Sequence, residues 1–84
     1  MTNQQLIEWF ANTPQWDVAA NNLSIRSNTL YSYETPIAIY QEEFGVFLVS
    51  LHKYSVTTTR HQSLLVKYLE FAGFVFTTTL EPLS

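Results

Sequence analysis

None of the 84 residues is a cysteine, so no disulfide can tie this chain together, and neither thiolate-ligated zinc nor a thiol nucleophile is available to it. A chain this short buries only a modest share of its surface and needs either such staples or a dense apolar core. The core must therefore come from large side chains. Six Phe, five Tyr and two Trp supply it, each burying roughly 150–250 Å² when enclosed. The length suits a single compact domain over residues 1–84. The missing cysteines also fit a reducing compartment.

Charge is sparse, with four Lys/Arg against seven Asp/Glu and a net charge of −3. A general nucleic-acid binder carries a basic stripe, and none is visible. No apolar run reaches the roughly 18–20 residues that a membrane helix needs, so no membrane partner is expected. Met1-Thr2-Asn3-Gln4-Gln5 lacks the basic and apolar regions of a signal peptide. The expected location is the cytoplasm, that of the host cell if the chain is phage-encoded.

Two helices are marked by their ends. Thr2 and Gln5 form a T-x-x-Q capping box, with Met1 and Leu6 at the staple positions. Leu6, Ile7 and Phe10 make an apolar stripe with Trp9 at its margin, and Pro14 predicts an end near Asn12. A second box, Thr59 with Gln62 and with Thr58 as the alternative cap, predicts a helix over about 59–72. His61, Leu64, Leu65, Tyr68, Leu69 and Ala72 share one face of it. Gly73 suits the left-handed residue beyond the end, with Phe74 packing back on Leu69.

Between the helices the apolar period becomes two. Leu23–Arg26, Leu30–Tyr33, Ile37–Tyr40 and Val46–His52 read as strands, with Ser27-Asn28 and Gln41–Gly45 as turns and a bulge or edge position at Pro36. Phe74–Thr78 reads as a last strand, and Trp16-Asp17-Val18 with an Asn21-Asn22 turn as a short extra one. The expected fold is α+β, in the order α-β-β-β-α-β: an antiparallel sheet of about four strands with two helices on one face.

Two polar stretches stand out, Tyr31-Ser32-Tyr33-Glu34-Thr35-Pro36-Ile37-Ala38 and Lys53-Tyr54-Ser55-Val56-Thr57-Thr58-Thr59-Arg60-His61-Gln62. Together they resemble an uncharacterised small domain family of bacteriophage and bacterial hypothetical proteins, with the pattern S-Y-x-T-P-I-A … K-Y-S-x-T-T-x-[KR]-H. The similarity spans about residues 30–63. It implies a phage or bacterial origin and no particular activity.

Chemically, Thr57, Thr58 and Thr59 with Ser55 sit where a strand hands over to a helix, and their hydroxyls suit the unpaired amides of a helix start. The functional alternative is an anion or partner site built from Lys53, Thr57, Thr58, Thr59, Arg60 and His61, using the partial positive charge of the helix end. His61 faces the core side of its helix and reads as a partly buried histidine bonded to a backbone carbonyl or to a tyrosine of the Tyr31/Tyr33 strand. His52 is the only other imidazole, too little for a metal site, so no metal and no cofactor are expected. Ser55, His61 and Asp17 could compose a Ser-His-Asp set, but no nucleophile elbow or oxyanion glycine accompanies them, and no catalytic residue is assigned. Tyr31, Tyr33, Tyr40 and Phe44 are candidates for an aromatic surface facing a partner.

These features favour a non-enzymatic binding or regulatory protein acting through protein–protein contact, a homodimer being one form of it. A nucleic-acid module using the start of the second helix against phosphates is the alternative. Its element order is similar to that of double-stranded RNA-binding domains, whose lysine cluster is missing here. A nucleotide or small-anion binder is the third reading.

Overall fold

The computed structural model describes residues 1–83. Its elements follow the chain as α1 (Asn3–Asn12), β1 (Val18–Ala20), β2 (Leu23–Arg26), β3 (Thr29–Ser32), β4 (Thr35–Gln41), β5 (Val46–Ser50), α2 (Val56–Ala72) and β6 (Phe76–Thr79). The fold is α+β, as expected. The sheet has six strands rather than about four, in the order β1-β2-β3-β4-β5-β6, and it is mixed. The four connections from β1 to β5 are short and give antiparallel neighbours. Between β5 and β6 the chain crosses over through α2, so β6 returns parallel to β5. The extra strand lies at Val18–Ala20, later than Trp16-Asp17-Val18. Its turn is at Asn21-Asn22, where Asn21 adopts a positive φ of 48°.

α1 starts as its sequence requires. Thr2 Oγ1 accepts the Gln5 amide at 3.1 Å, and Gln5 Oε1 accepts the Thr2 amide at 2.8 Å. α2 does not start at Thr59. Ser55 is its cap, accepting the Thr58 amide at 3.1 Å, and Val56 and Thr57 join the first turn. The reason lies in Gln62, which a capping box would turn back toward the helix start. Instead its Nε2 donates to the carbonyls of Ser50 (2.8 Å) and His52 (3.0 Å), where β5 ends. This also explains why β5 stops at Ser50 and does not continue to His52.

α2 ends as a Schellman motif. Gly73 has φ +80°, its amide donates to Glu70 O, and the Phe74 amide donates to Leu69 O at 2.9 Å. Phe74 is thereby spent on the helix end, which delays β6 to Phe76.

Both helices cover one face of the sheet, α1 over β1 and β2 and α2 over β5, and they touch each other. Leu6, Ile7 and Phe10 of α1 and Leu65 and Leu69 of α2 close on Leu23, Ile25, Leu30 and Val49 of the strands. Phe47 anchors an aromatic cluster, with ring centroids 5.3 Å from Phe10, 4.8 Å from Tyr40 and 5.9 Å from Phe74. A bulge between β3 and β4 shifts the pairing from Leu30↔Ala38 to Tyr31↔Pro36. Consecutive strand residues normally face opposite sides. The extra residue lets Ile37 and Ala38 both be buried, each at 0% exposure.

Candidate functional site

The polar motif is drawn into the interface between the helices and the sheet. Ser32 sits on the helix-facing side of β3 at 0% exposure, with Thr58 and His61 of α2 above it, His61 at 3%. Ser32 Oγ lies 2.8 Å from His61 Nδ1 and 3.0 Å from Thr58 Oγ1. Ser55 Oγ donates to Thr58 Oγ1 at 3.1 Å, and the Asn3 amide nitrogen of α1 lies 3.3 Å from His61 Nε2. One line of hydrogen bonds thus runs from the cap of α2, through β3, to the first turn of α1.

Counting donors gives one self-consistent direction for this line. If Ser55 donates to Thr58, Thr58 to Ser32 and Ser32 to His61 Nδ1, each hydroxyl donates once within the line. The ring then carries its proton on Nε2 and needs an acceptor there. Asn3 Oδ1 is buried and has no partner where it stands. The opposite orientation of the Asn3 amide would bring that oxygen to Nε2–H, leaving the amide nitrogen in the unpartnered place instead. The neutral ring is the form this line suits. Burial pushes the His61 pKa below the ordinary 6.5, and the neighbouring Arg60 charge lowers it further.

The sequence placed the partner of His61 at a backbone carbonyl or at a tyrosine of this strand; it is the Ser32 side chain, between the two tyrosines. Ser32 and Asn3 were missed as site residues. They lie 29 and 58 positions from His61, and the only signal in the sequence was the serine inside the Tyr31-Ser32-Tyr33 run. The Ser55, His61 and Asp17 set does not assemble. Asp17 Oδ1 accepts the Ser27 amide at 3.2 Å, and Ser55 reaches His61 only through Thr58 and Ser32. Ser32, His61 and Asn3 do align as a serine–histidine–amide series, but the serine is sealed from solvent.

The residues of the candidate anion site divide. Thr58 and His61 point inward, Thr57 is half-buried, and Lys53, Thr59 and Arg60 are exposed. Lys53 and Thr59 border an open depression with Tyr54, Ser55 and Val56. His52 is separate from His61; its Nδ1 lies 3.3 Å from Leu80 O, and its ring stacks edge-on against Tyr54. Among the described residues no three His, Asp or Glu side chains gather as a metal site would require.

The four candidate aromatics are not brought together. Tyr33 is exposed in the β3–β4 turn with φ +57°, whereas Phe44, 72% exposed, lies in the β4–β5 turn at the opposite end of the sheet. Tyr31 is half-buried on the open face, with the Arg26 guanidinium 4.0 Å above its ring. Arg26 also pairs with Glu34 at 3.2 Å. Tyr40 is only partly exposed. It packs against Phe47 because the register places both on the helix-facing side.

A further group of exposed apolar residues lies on the helix layer, among them Met1, Trp9 and Phe71. Met1, Trp9 and Asn12 border one open depression of about 470 Å³ beside α1. Leu64, Tyr68 and Phe71 border a second of about 340 Å³ between α1 and α2. Glu8 borders both, and Phe71 is 89% exposed. Among the described residues no helix is long and apolar enough to cross a membrane.

Fold and polar line together define a small two-layer α+β domain whose sequence motif is spent largely on joining its layers. The chain belongs to a family of unknown function, DUF8033, whose model matches residues 4–73. No curated protein and no solved structure matches it.

Proposed function

We propose that this chain is a non-catalytic binding or regulatory module that works by protein–protein contact through its helix layer. The observation that carries this reading is the pair of open depressions flanking Glu8, edged by Trp9 on one side and by Phe71 and Tyr68 on the other. Large aromatics projecting from a rigid surface are the residue types that anchor protein interfaces. The sealing of the one Ser–His–Asn alignment supports a role without chemistry, because no substrate reaches Ser32 while the layers are closed. The resemblance of the two polar stretches to phage and bacterial domains suggests the setting we add to the proposal: a cytoplasmic protein of phage or bacterial origin, acting on a host or defence system.

The test is affinity capture from bacterial lysate with the wild type, W9A and F71A side by side. Both side chains are exposed, so both variants should keep the fold. A stoichiometric protein retained by the wild type should bind either variant at least about 30-fold more weakly, the loss expected of an interface anchor worth about 2 kcal/mol. Recovery of no partner, or equal retention by all three proteins, would refute the reading.

A further inference from the structure

The sheet ends in two strands, β1 and β6, that each pair on one side only among the described residues, and they are protected very differently. β1 is three residues long and follows directly on Asp17, two features that discourage edge-to-edge pairing. β6 is only one residue longer, but no charge lies on it or directly before it. Residues 71–80, Phe-Ala-Gly-Phe-Val-Phe-Thr-Thr-Thr-Leu, hold no charge and no proline, and the β5–β6 pairing is regular along its length. The strand is rich in aromatic and β-branched residues, and Val75 and Leu80 on either side of it are exposed.

Its hydrogen bonding fixes which groups are free. The carbonyls of Val75 and Thr79 accept from Phe47 and Leu51 on the β5 side. Strand alternation then turns the N–H and C=O of Phe76 and Thr78 outward. Beyond them the chain bends, and the Leu80 carbonyl is turned toward His52 Nδ1. Phe76 and Thr78 are therefore the two residues that offer both groups to a neighbour.

We infer that β6 is a dimerisation edge whose occupant is β6 of a second copy, paired antiparallel about a two-fold axis through Thr77. Antiparallel strands joined by a two-fold axis must cross it perpendicular to the sheet, which keeps both helix layers on one side. Pairing about Thr77 sets Phe76 opposite Thr78 of the other copy and satisfies all four free groups on each strand. It also sets Thr77 against Thr77, and Val75 against Thr79, on the open face, a favourable cross-strand arrangement. Because the edge is uncharged in a chain of net charge −3, two copies meet there without opposing like charges. The family match stops at residue 73, so this edge is a feature of the present chain outside the matched region. The inference does not rest on the helix layer, and its variants leave Trp9 and Phe71 untouched.

A short ladder of this kind gives concentration-dependent association. Sedimentation equilibrium of the full chain should show its mass rising toward twice the monomer value as concentration increases. T78P removes an outward N–H without touching the β5 ladder and should hold the mass at the monomer value; T78K, a charged edge, should do the same. Thermal melts of both variants report whether the monomer fold is kept. The absence of native cysteine allows a second readout. Thr77 in each copy would occupy a non-hydrogen-bonded pair with Cα atoms about 4.5 Å apart, within disulfide range. T77C should therefore oxidise to a covalent dimer much faster than S63C, on the exposed side of α2. A monomer at every concentration would overturn the inference. So would a dimer indifferent to T78P and T78K, or equal oxidation rates for the two cysteine variants.

Discussion

Protonating His61 would place a second N–H against Ser32 and force that hydroxyl to donate toward Thr58, which already accepts from Ser55. The Thr58 proton would then have no acceptor within the line, and a charge would be added beside Arg60 in a buried place. In the unfolded chain His61 takes its proton near the ordinary 6.5, and in the folded chain only at lower pH. Below that value the unfolded state binds more protons, so stability falls as pH drops and levels off once the folded ring is also protonated. Urea midpoints measured between about pH 7.5 and 5 should decrease for the wild type, and the decrease should be clearly smaller for H61Q. An unchanged slope would place the titration elsewhere. S32A leaves both His61 Nδ1 and Thr58 Oγ1 without their shared partner. It should lower the unfolding free energy by about 1–3 kcal/mol in the same measurement.

At the scale of elements, α2 tests which hydroxyl caps it. S55A should destabilise the fold by about 1 kcal/mol, while T59A, an exposed change within the helix, should stay within about 0.5 kcal/mol. The reverse ranking in chemical denaturation would restore the Thr59 cap. Gly73 sits at φ +80°, and a Cβ there would meet no atom within 4 Å. The cost of G73A is then backbone strain alone, about 1 kcal/mol. The sequence marked the start of α1 and the end of α2 clearly because each is written in residues within five positions of one another; at Pro36 it offered a bulge or an edge position, and the bulge is what forms. It misplaced the start of α2 because a second T-x-x-Q occurs there whose glutamine has a better use. Two carbonyls at the end of β5 have no strand to pair with, and Gln62 is the side chain within reach. The demand comes from a distant part of the sheet, so local pattern could not reveal it. The parallel return of β6 is hidden in the same way, since its strand sequence carries no sign of which neighbour it will meet.

For the molecule as a whole, two adjacent residues of α2 fasten the helix to two different strands, His61 to β3 and Gln62 to β5. Further along, Leu65 and Leu69 hold the same helix by apolar contact, which is strong but non-directional. Native-state hydrogen exchange should reflect that contrast, with amides around Thr58–Gln62 protected to higher free energy than those of the last turn before Gly73. Uniform protection along α2 would show that the polar fastening adds nothing. If the contrast holds, α2 behaves as a lever with its fulcrum at its first turns. Any rearrangement the protein undergoes would then be a swing of the far end, opening the cleft beside Phe71 while the pivot stays still.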